Sequence, residues 1–323
     1  MLLITGGAGF IGSNLVAALE RLGLGPLIVA DWPSDKNRPN LAKHKVTIID
    51  PDALEDFLKK DGAGLDAVFH MGAISSTTET DPARLNKYNL EYSKMLFRWC
   101  SANNKRFIYA SSAATYGDGK QGFEDKEDAA SLKKLQPLNL YGKSKNDFDI
   151  FVAETAEKKP PQIAGLKFFN VYGPNEYHKG GQRSVAHQVY QCASKGEAFP
   201  LFKSYNPEYA DGAQQRDFVW IGDCVDIMLW LFENPGVNGL FNVASGKARA
   251  FVDLASAVYR AMGMEPKITY ADMPQQLRGQ YQYFTEGPMR KLQAAGYKKP
   301  TTTLEDGVKA YVQDYLVKPD PYC

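Results

Sequence analysis

The sequence predicts an α/β fold, a doubly wound parallel sheet with a smaller C-terminal substrate-binding lobe. Three observations carry this. Short apolar runs alternate with helix-length segments from the first residues onward, a glycine-rich turn follows the first run, and the alternation breaks after Gly173. "LLIT" (2–5) has the length of a buried strand, and Leu15, Ala18, Leu19 and Leu22 then recur at helical spacing. "LIVAD" (27–31), "VTIID" (46–50), "AVFHMGA" (67–73), "RFIYASS" (106–112) and "LKFFNVYG" (166–173) follow. Between them lie segments long enough for helices, such as 84–103 and 144–158. Strands that are apolar throughout and separated by helices imply a parallel sheet covered on both faces.

Residues 174–217 are rich in Gly, Pro, Gln, Asn and Tyr, with one helical patch near 184–195. Later candidates are "RDFVWIGD" (216–223), 224–234, "LFNVAS" (240–245), 250–262 and 304–316. The expected division is a nucleotide-binding domain over 1–173 and a substrate-binding lobe over 174–323, with some segments of the second returning to the first. Repeats and low-complexity stretches are absent, and the tail "KPDPYC" (318–323) is expected to be irregular.

Composition narrows the function classes. Lys and Arg exceed Asp and Glu by 38 − 37 = 1, and no basic cluster interleaves with aromatics, which argues against nucleic acid as a partner. Cys100, Cys192, Cys224 and Cys323 lie far apart with no C-x-x-C pair, so no metal site is expected and reduced cytoplasmic thiols are the reading. "LLIT" stops at Gly6 and lacks a basic start, so no export signal is expected. No apolar run approaches membrane-spanning length.

"ITGGAGFIGSN" (4–14) places Gly6, Gly9 and Gly12 between a strand and a helix. The first glycine permits a tight turn, the second a close approach to a pyrophosphate, the third close packing of helix on strand. The free N–H groups of the helix start then face the anion. Asp31 closes the second strand 19 residues after Gly12, as a dinucleotide-binding Rossmann fold requires. Asp31 would accept from a ribose 2′-hydroxyl, which favours NAD, whereas Lys36 and Arg38 could hold a 2′-phosphate, which favours NADP. These residues by themselves leave the choice open.

Tyr141 and Lys145 are four apart at the start of a predicted helix and share one face. A phenol with an ordinary pKa near 10 is a poor base at neutral pH. A neighbouring ammonium and a positive nicotinamide ring would favour its ionised form. Ser112, ending a strand 29 residues before Tyr141, can hydrogen-bond a substrate oxygen. "NEYHKGGQ" (175–182) adds His178 and Lys179 ahead of two glycines, a second titratable cluster that a single acid–base centre would not need.

"GGAGFIG", "YASSAATYG", "YGKSK", "FFNVYGP" and "RDFVWIGD" occur in the order of the extended short-chain dehydrogenase/reductase superfamily, and the chain resembles it over essentially its whole length. Within it, "ISSTTE" (74–79), "NEYHKGG" (175–181) and "YQYFTE" (281–286) resemble the ADP-L-glycero-D-manno-heptose 6-epimerases. That resemblance implies oxidation of C6″ of an ADP-heptose by bound NADP and re-reduction of the ketone in the opposite orientation. The heptose so made would supply lipopolysaccharide core. Two orientations of one carbon put its oxygen in two places, which gives a use to Tyr141 and Lys179 as separate proton-handling groups, with Lys145 and Ser112 beside the first. His178 is read as a loop anchor.

The resemblance further implies cofactor contacts at Phe10, Ile11, Asp31, Trp32, Met71, Gly72, Ala73, Ile74, Ser75, Asn89, Val171, Lys145 and Lys179. Arg38 takes the place of a cation near the 2′-phosphate, which tilts the choice to NADP. Substrate contacts are implied at Asn170, Gly181, Gln188, Phe202, Lys203, Ser204, Tyr205, Arg216 and Tyr281, and a planar Arg fork suits a diphosphate. Gly181 and Gln188 depart from the family's Ser and His, "YN" (88–89) from its Asn pair, and 205–215 is longer than usual. A homo-oligomer, such as a pentamer, is the implied assembly. Rival readings are a 4-epimerase, which would not need Lys179, a dehydratase, which would want an acidic pair where Ala113 and Ala114 stand, and a dinucleotide-binding scaffold subunit.

Overall fold

The structure is a computed structural model that describes residues 1–278 and 281–323. Its strands run in chain order as β1 (Leu2–Thr5), β2 (Leu27–Ala30), β3 (Val46–Ile49), β4 (Ala67–His70), β5 (Arg106–Ser112) and β6 (Ile163–Phe168). Then come β7 (Asn170–Tyr172), β8 (Phe199–Phe202), β9 (Gln215–Trp220), β10 (Gly239–Val243), β11 (Ala248–Ala250) and β12 (Ile268–Ala271). Seven of them form one parallel sheet in the order β10-β6-β5-β4-β1-β2-β3. The chain order reverses between β1 and β4, and a crevice at the carboxyl ends of the strands is where such sheets hold ligands.

Alternation along the strands explains why both faces are dry. Leu2 and Ile4 of β1 join Leu27 and Val29 of β2 in one core, under the helices Phe10–Arg21 and Ile221–Glu233. Leu3, Ile28 and Val68 point the other way, under the helices Leu54–Lys60, Tyr92–Ala102 and Leu140–Glu154. A third core lies in the lobe. There the helices Val185–Ala193, Phe251–Ala261 and Leu304–Ala310 pack around Tyr172, Leu201 and Phe218.

Two details depart from the sequence expectation. "LKFFNVYG" is not one strand. It divides at Phe169, because β6 pairs with β5 and β10 whereas β7 leaves to pair with β9 in a separate sheet, β11-β9-β7. The helix expected over 84–103 starts at Pro82 and widens to a π-turn over Asn86–Glu91 before continuing as Tyr92–Ala102. Such turns are frequent at functional sites. β10 and the helix Ile221–Glu233 lie beyond residue 174 in sequence but pack with the first sheet.

The tail has no helix or strand over its last five residues, yet it is docked. Tyr177 donates its hydroxyl to the Pro321 carbonyl at 2.8 Å, and the Cys323 N–H donates to Asn175 Oδ1 at 3.2 Å. No helix among the described residues is long and apolar enough to cross a membrane. Nor do the described residues group His, Cys, Asp and Glu in a way that could hold a metal ion.

Candidate active site

A cleft of about 920 Å³ opens at the carboxyl ends of β1, β2, β4 and β5. Its floor is the glycine loop. Gly6 has φ of 66°, a left-handed conformation that disfavours any side chain, and a Cβ on Gly12 would collide with the Gly6 carbonyl oxygen. The helix Phe10–Arg21 starts at Gly9 without a side-chain cap, so its first N–H groups are left to an outside acceptor. Asp31 fixes the loop from β2, its Oδ2 accepting from the Ala8 N–H at 2.8 Å. Burial pushes the Asp31 carboxyl up, against the backbone donors that hold it down. The uncapped helix start and the ribose-height carboxylate fit a dinucleotide.

The opposite wall, residues 71–75, is held by a chain of hydrogen bonds through a buried histidine. Burial depresses His70 to about 3, so the ring is neutral. Ser93 Oγ donates to the Asn89 carbonyl at 2.6 Å and therefore accepts from His70 Nε2 at 2.7 Å. Nδ1 then accepts from Thr5 Oγ1 at 2.6 Å, and Thr5 Oγ1 accepts from the Gly72 N–H at 3.1 Å. One tautomer satisfies every group.

Asn89, expected to touch the cofactor, is buried directly behind the wall. Its Oδ1 accepts from the Ile74 N–H at 2.8 Å, and its Nδ2 donates to the Ile74 carbonyl at 3.0 Å and to Ser144 Oγ at 2.9 Å. Ser144 in turn donates to the Tyr141 carbonyl at 2.8 Å. With its amide fully engaged, Asn89 ties the wall to the helix that carries Tyr141.

Tyr141, Lys145 and Asp149 recur at i, i+4 and i+8 of that helix. Lys145 donates to the Ala110 carbonyl of β5 at 2.8 Å, and burial lowers its ammonium to about 8 while Asp149 opposes. Tyr141 is held above the ordinary phenol value by burial, and a hydrogen bond with Ser112 works against that rise. The sequence expectation of a lowered phenol thus depends on a cation brought by the bound ring; within the chain, desolvation wins.

Lys179 arrives from a different element. It lies on the turn Tyr177–Gln182, with its ammonium 5.3 Å from the centre of the Phe10 ring, and it lines the same cleft as Ser112, Tyr141, Lys145 and Asn170. Burial pushes Lys179 down and the Glu176 carboxylate pulls it up. His178 Nδ1 is 3.3 Å from Asn40 Nδ2, the contact of a loop anchor, although the ring also lines the cleft.

Gly6, Gly9, Phe10, Ile11, Gly12, Asp31, Trp32, Met71 to Ser75 and Val171 all line the cleft. Lys36 and Arg38 are exposed outside it, flanking Asn37, which does line it. The expected substrate residues divide. Asn170 faces the cleft, but Gln188 points inward and donates to the Arg183 carbonyl at 2.8 Å, and Gly181 is off the lining. That bond uses one of the two amide N–H groups of Gln188 and leaves the other and Oε1 for a ligand. Arg216 is sandwiched by Phe251 at 5.6 Å and Tyr281 at 5.3 Å, with Phe202 beyond Tyr281 at 6.4 Å. Lys203 pairs with Asp272 at 3.3 Å, Tyr205 donates to Asp272 at 3.0 Å, and Ser204 Oγ donates to the Asn206 carbonyl at 2.8 Å. This shelf adjoins the cleft at Phe251, whose ring lies against Arg216 and lines the cleft.

Tyr88, read from sequence only as a departure from the family pattern, meets Trp32 edge-on at 5.0 Å, and the rim pair Arg84–Glu79 at 2.8 Å was passed over. The π-turn brings Tyr88 to the cleft, and no residue pattern announces it.

Residues 2–244 match the NAD dependent epimerase/dehydratase family. The chain belongs to that family. As its name states, the family works with a nicotinamide dinucleotide. Among curated relatives, the ADP-L-glycero-D-manno-heptose-6-epimerase of Nitratidesulfovibrio vulgaris (strain DP4) is 49% identical over 326 residues, all of both chains. That of Fusobacterium nucleatum is 43% identical over 332 residues, again all of both. Among solved structures, the Helicobacter pylori ADP-L-glycero-D-manno-heptose-6-epimerase superposes with a TM-score of 0.78 at 26% identity, covering 97% of this chain and 95% of its own. The Thermus thermophilus UDP-glucose 4-epimerase, complexed with NAD, gives 0.78 at 25% identity over 96% and 97%. This NAD dependent epimerase/dehydratase chain therefore shares its fold with epimerases of several nucleotide sugars, and its full-length kinship with the heptose epimerases.

Proposed function

We propose that the protein inverts C6″ of an ADP-glycero-manno-heptose, with NADP as its cofactor, in the cytoplasm and as a homo-oligomer, to supply heptose for lipopolysaccharide core. The observation that supports this reading best is the pair of proton-handling groups, Tyr141 and Lys179, brought by two different elements to one cleft. A bound nicotinamide dinucleotide would supply the hydride acceptor and donor. Tyr141, steadied by Ser112 and Lys145, takes or returns the proton of the C6″ oxygen in one orientation of the sugar. Lys179 serves the same oxygen after the ketone has turned over. Asn170 and the Arg216 shelf are the groups suited to hold the ADP-sugar meanwhile, so that only the reacting end rotates.

The test incubates the protein with ADP-glycero-manno-heptose in deuterated water, with UDP-glucose as the control substrate. Inversion at C6″ without deuterium at that carbon is expected, because the hydride returns to the carbon it left. Substantial deuterium at C6″ would mean deprotonation at carbon and overturn the hydride mechanism. Inversion at C4″ of UDP-glucose alone would assign the chain to another branch of the family.

For the choice of dinucleotide, Arg38→Ala is expected to weaken NADP binding while leaving NAD binding close to unchanged. Loss of a hydrogen bond to a charged group costs roughly 1.5–3 kcal/mol, about tenfold to a hundredfold in affinity. Isothermal titration with both cofactors reads it, and equal losses would show that Arg38 does not meet the 2′-phosphate.

A further inference from the structure

The side chain at the root of the second proton-handling loop is a buried carboxylate. Glu176 has no exposed surface, and all its partners come from elements that bracket the loop. Its Oε2 accepts from the Ser184 N–H, and its Oε1 accepts from Ser184 Oγ at 2.6 Å and from the Tyr311 hydroxyl at 2.9 Å. Ser184 caps the helix Val185–Ala193, and Tyr311 opens the π-turn Tyr311–Leu316. Glu176 thus closes the turn Tyr177–Gln182 at its base, while the Lys179 N–H donates to the Glu176 carbonyl at 3.0 Å.

Three hydrogen-bond donors satisfy the carboxylate without neutralising it. No ion pair within contact distance involves it among the described residues, and burial pushes its carboxyl up while these donors and the Lys179 ammonium pull it down. The titratable groups around it are Tyr177 and Lys179 of its own loop and Tyr311 of the C-terminal segment. His178 is pushed down by burial first and by the neighbouring Lys179 second. A buried unpaired carboxylate costs several kcal/mol to keep, which a purely structural staple would avoid by using Gln.

We propose that Glu176 is the positioning residue of this loop, fixing its shape and supplying the negative charge that keeps Lys179 protonated beside the apolar Phe10 ring. This rests on the reading of Lys179 as the second proton-handling group. The direction of both titrations agrees, since burial pushes Lys179 down and Glu176 up while each opposes the other's shift.

Glu176→Gln separates charge from geometry. Its amide oxygen can face the Ser184 N–H, and its NH₂ can donate to the two hydroxyls, which reorient to accept. The experiment uses full-length protein with ¹³Cε-labelled lysine, the Lys179 resonance being assigned by its loss in Lys179→Met. The expected result is a Lys179 titration midpoint moved to lower pH in Glu176→Gln and unmoved in Tyr311→Phe, which removes a hydrogen bond but no charge. An unchanged midpoint in Glu176→Gln, or an equal shift in Tyr311→Phe, overturns the proposal. If Glu176→Gln does not fold, the reciprocal titration decides. Coupling is mutual, so the ¹³Cδ-labelled Glu176 carboxyl must titrate at higher pH in Lys179→Met than in the unmodified chain, and no change there overturns the proposal equally. No substrate is present in either titration, so a wrong substrate assignment cannot be mistaken for a wrong role of Glu176.

Discussion

Tyr141→Phe and Lys179→Met are each expected to lower steady-state epimerisation by about 10²–10⁴, the usual contribution of a general acid–base group. Both changes keep approximate size and remove only the group that moves the proton. Neither should act as a loss of binding, so KM for the sugar nucleotide is expected to stay within a few-fold. The full cycle needs both half-reactions and therefore both groups. A single hydride transfer from reduced cofactor to a ketone or aldehyde analogue needs one orientation only. Rapid-mixing measurements of that single turnover should find it largely retained in at least one variant. Near-normal steady-state epimerisation in Lys179→Met would return this Lys to the status of a loop charge. The geometry argues against that outcome, because the half-buried side chain sets its ammonium over Phe10 and shares the cleft with Tyr141.

Much of this was legible in the residues. The glycine loop, Asp31, Ser112, Tyr141 and Lys145 are local patterns, each fixed by a turn, a strand end or a helix repeat, and the structure gathers them around one cleft. What Asn89 bonds to was not legible, because its placement depends on the π-turn over Asn86–Glu91, which shifts the helix register without a marker in sequence. The bond that Gln188 makes was hidden for a related reason. Its amide closes a turn five residues upstream, and only the three-dimensional path of the loop brings Arg183 within reach. The tail looked unstructured because nothing in "KPDPYC" predicts helix or strand. It is ordered by partners more than 140 residues away in sequence, such as Tyr177 and Asn175. Contacts of that kind are properties of topology, and a local reading cannot supply them.

The largest effect on stability is expected from Lys167→Met. Lys167 and Asp149 are fully buried, 2.8 Å apart, behind the strand that ends in Ser112. Asp149 also accepts from Ser111 Oγ at 2.7 Å and the Tyr109 hydroxyl at 3.1 Å, and Lys167 also donates to Thr115 Oγ1 at 2.6 Å. Removing the ammonium leaves a buried carboxylate with only hydroxyl donors, which costs about 3–5 kcal/mol. Urea unfolding reads that loss as a lower midpoint. Replacing both partners, Asp149→Leu with Lys167→Met, removes two buried charges together and is expected to recover most of the stability. Activity should not recover with it. Asp149 lies one helical turn beyond Lys145 and opposes the burial that lowers its ammonium. Without Asp149 a larger fraction of Lys145 is neutral at pH 7–8 and the site loses its ammonium, even though removal of the Asp149 charge by itself eases ionisation of Tyr141. A double variant as active as the unmodified chain would show that the pair serves folding alone. A stable double variant with epimerisation confined to lower pH would show that the buried pair also sets the charge of the Tyr141 centre.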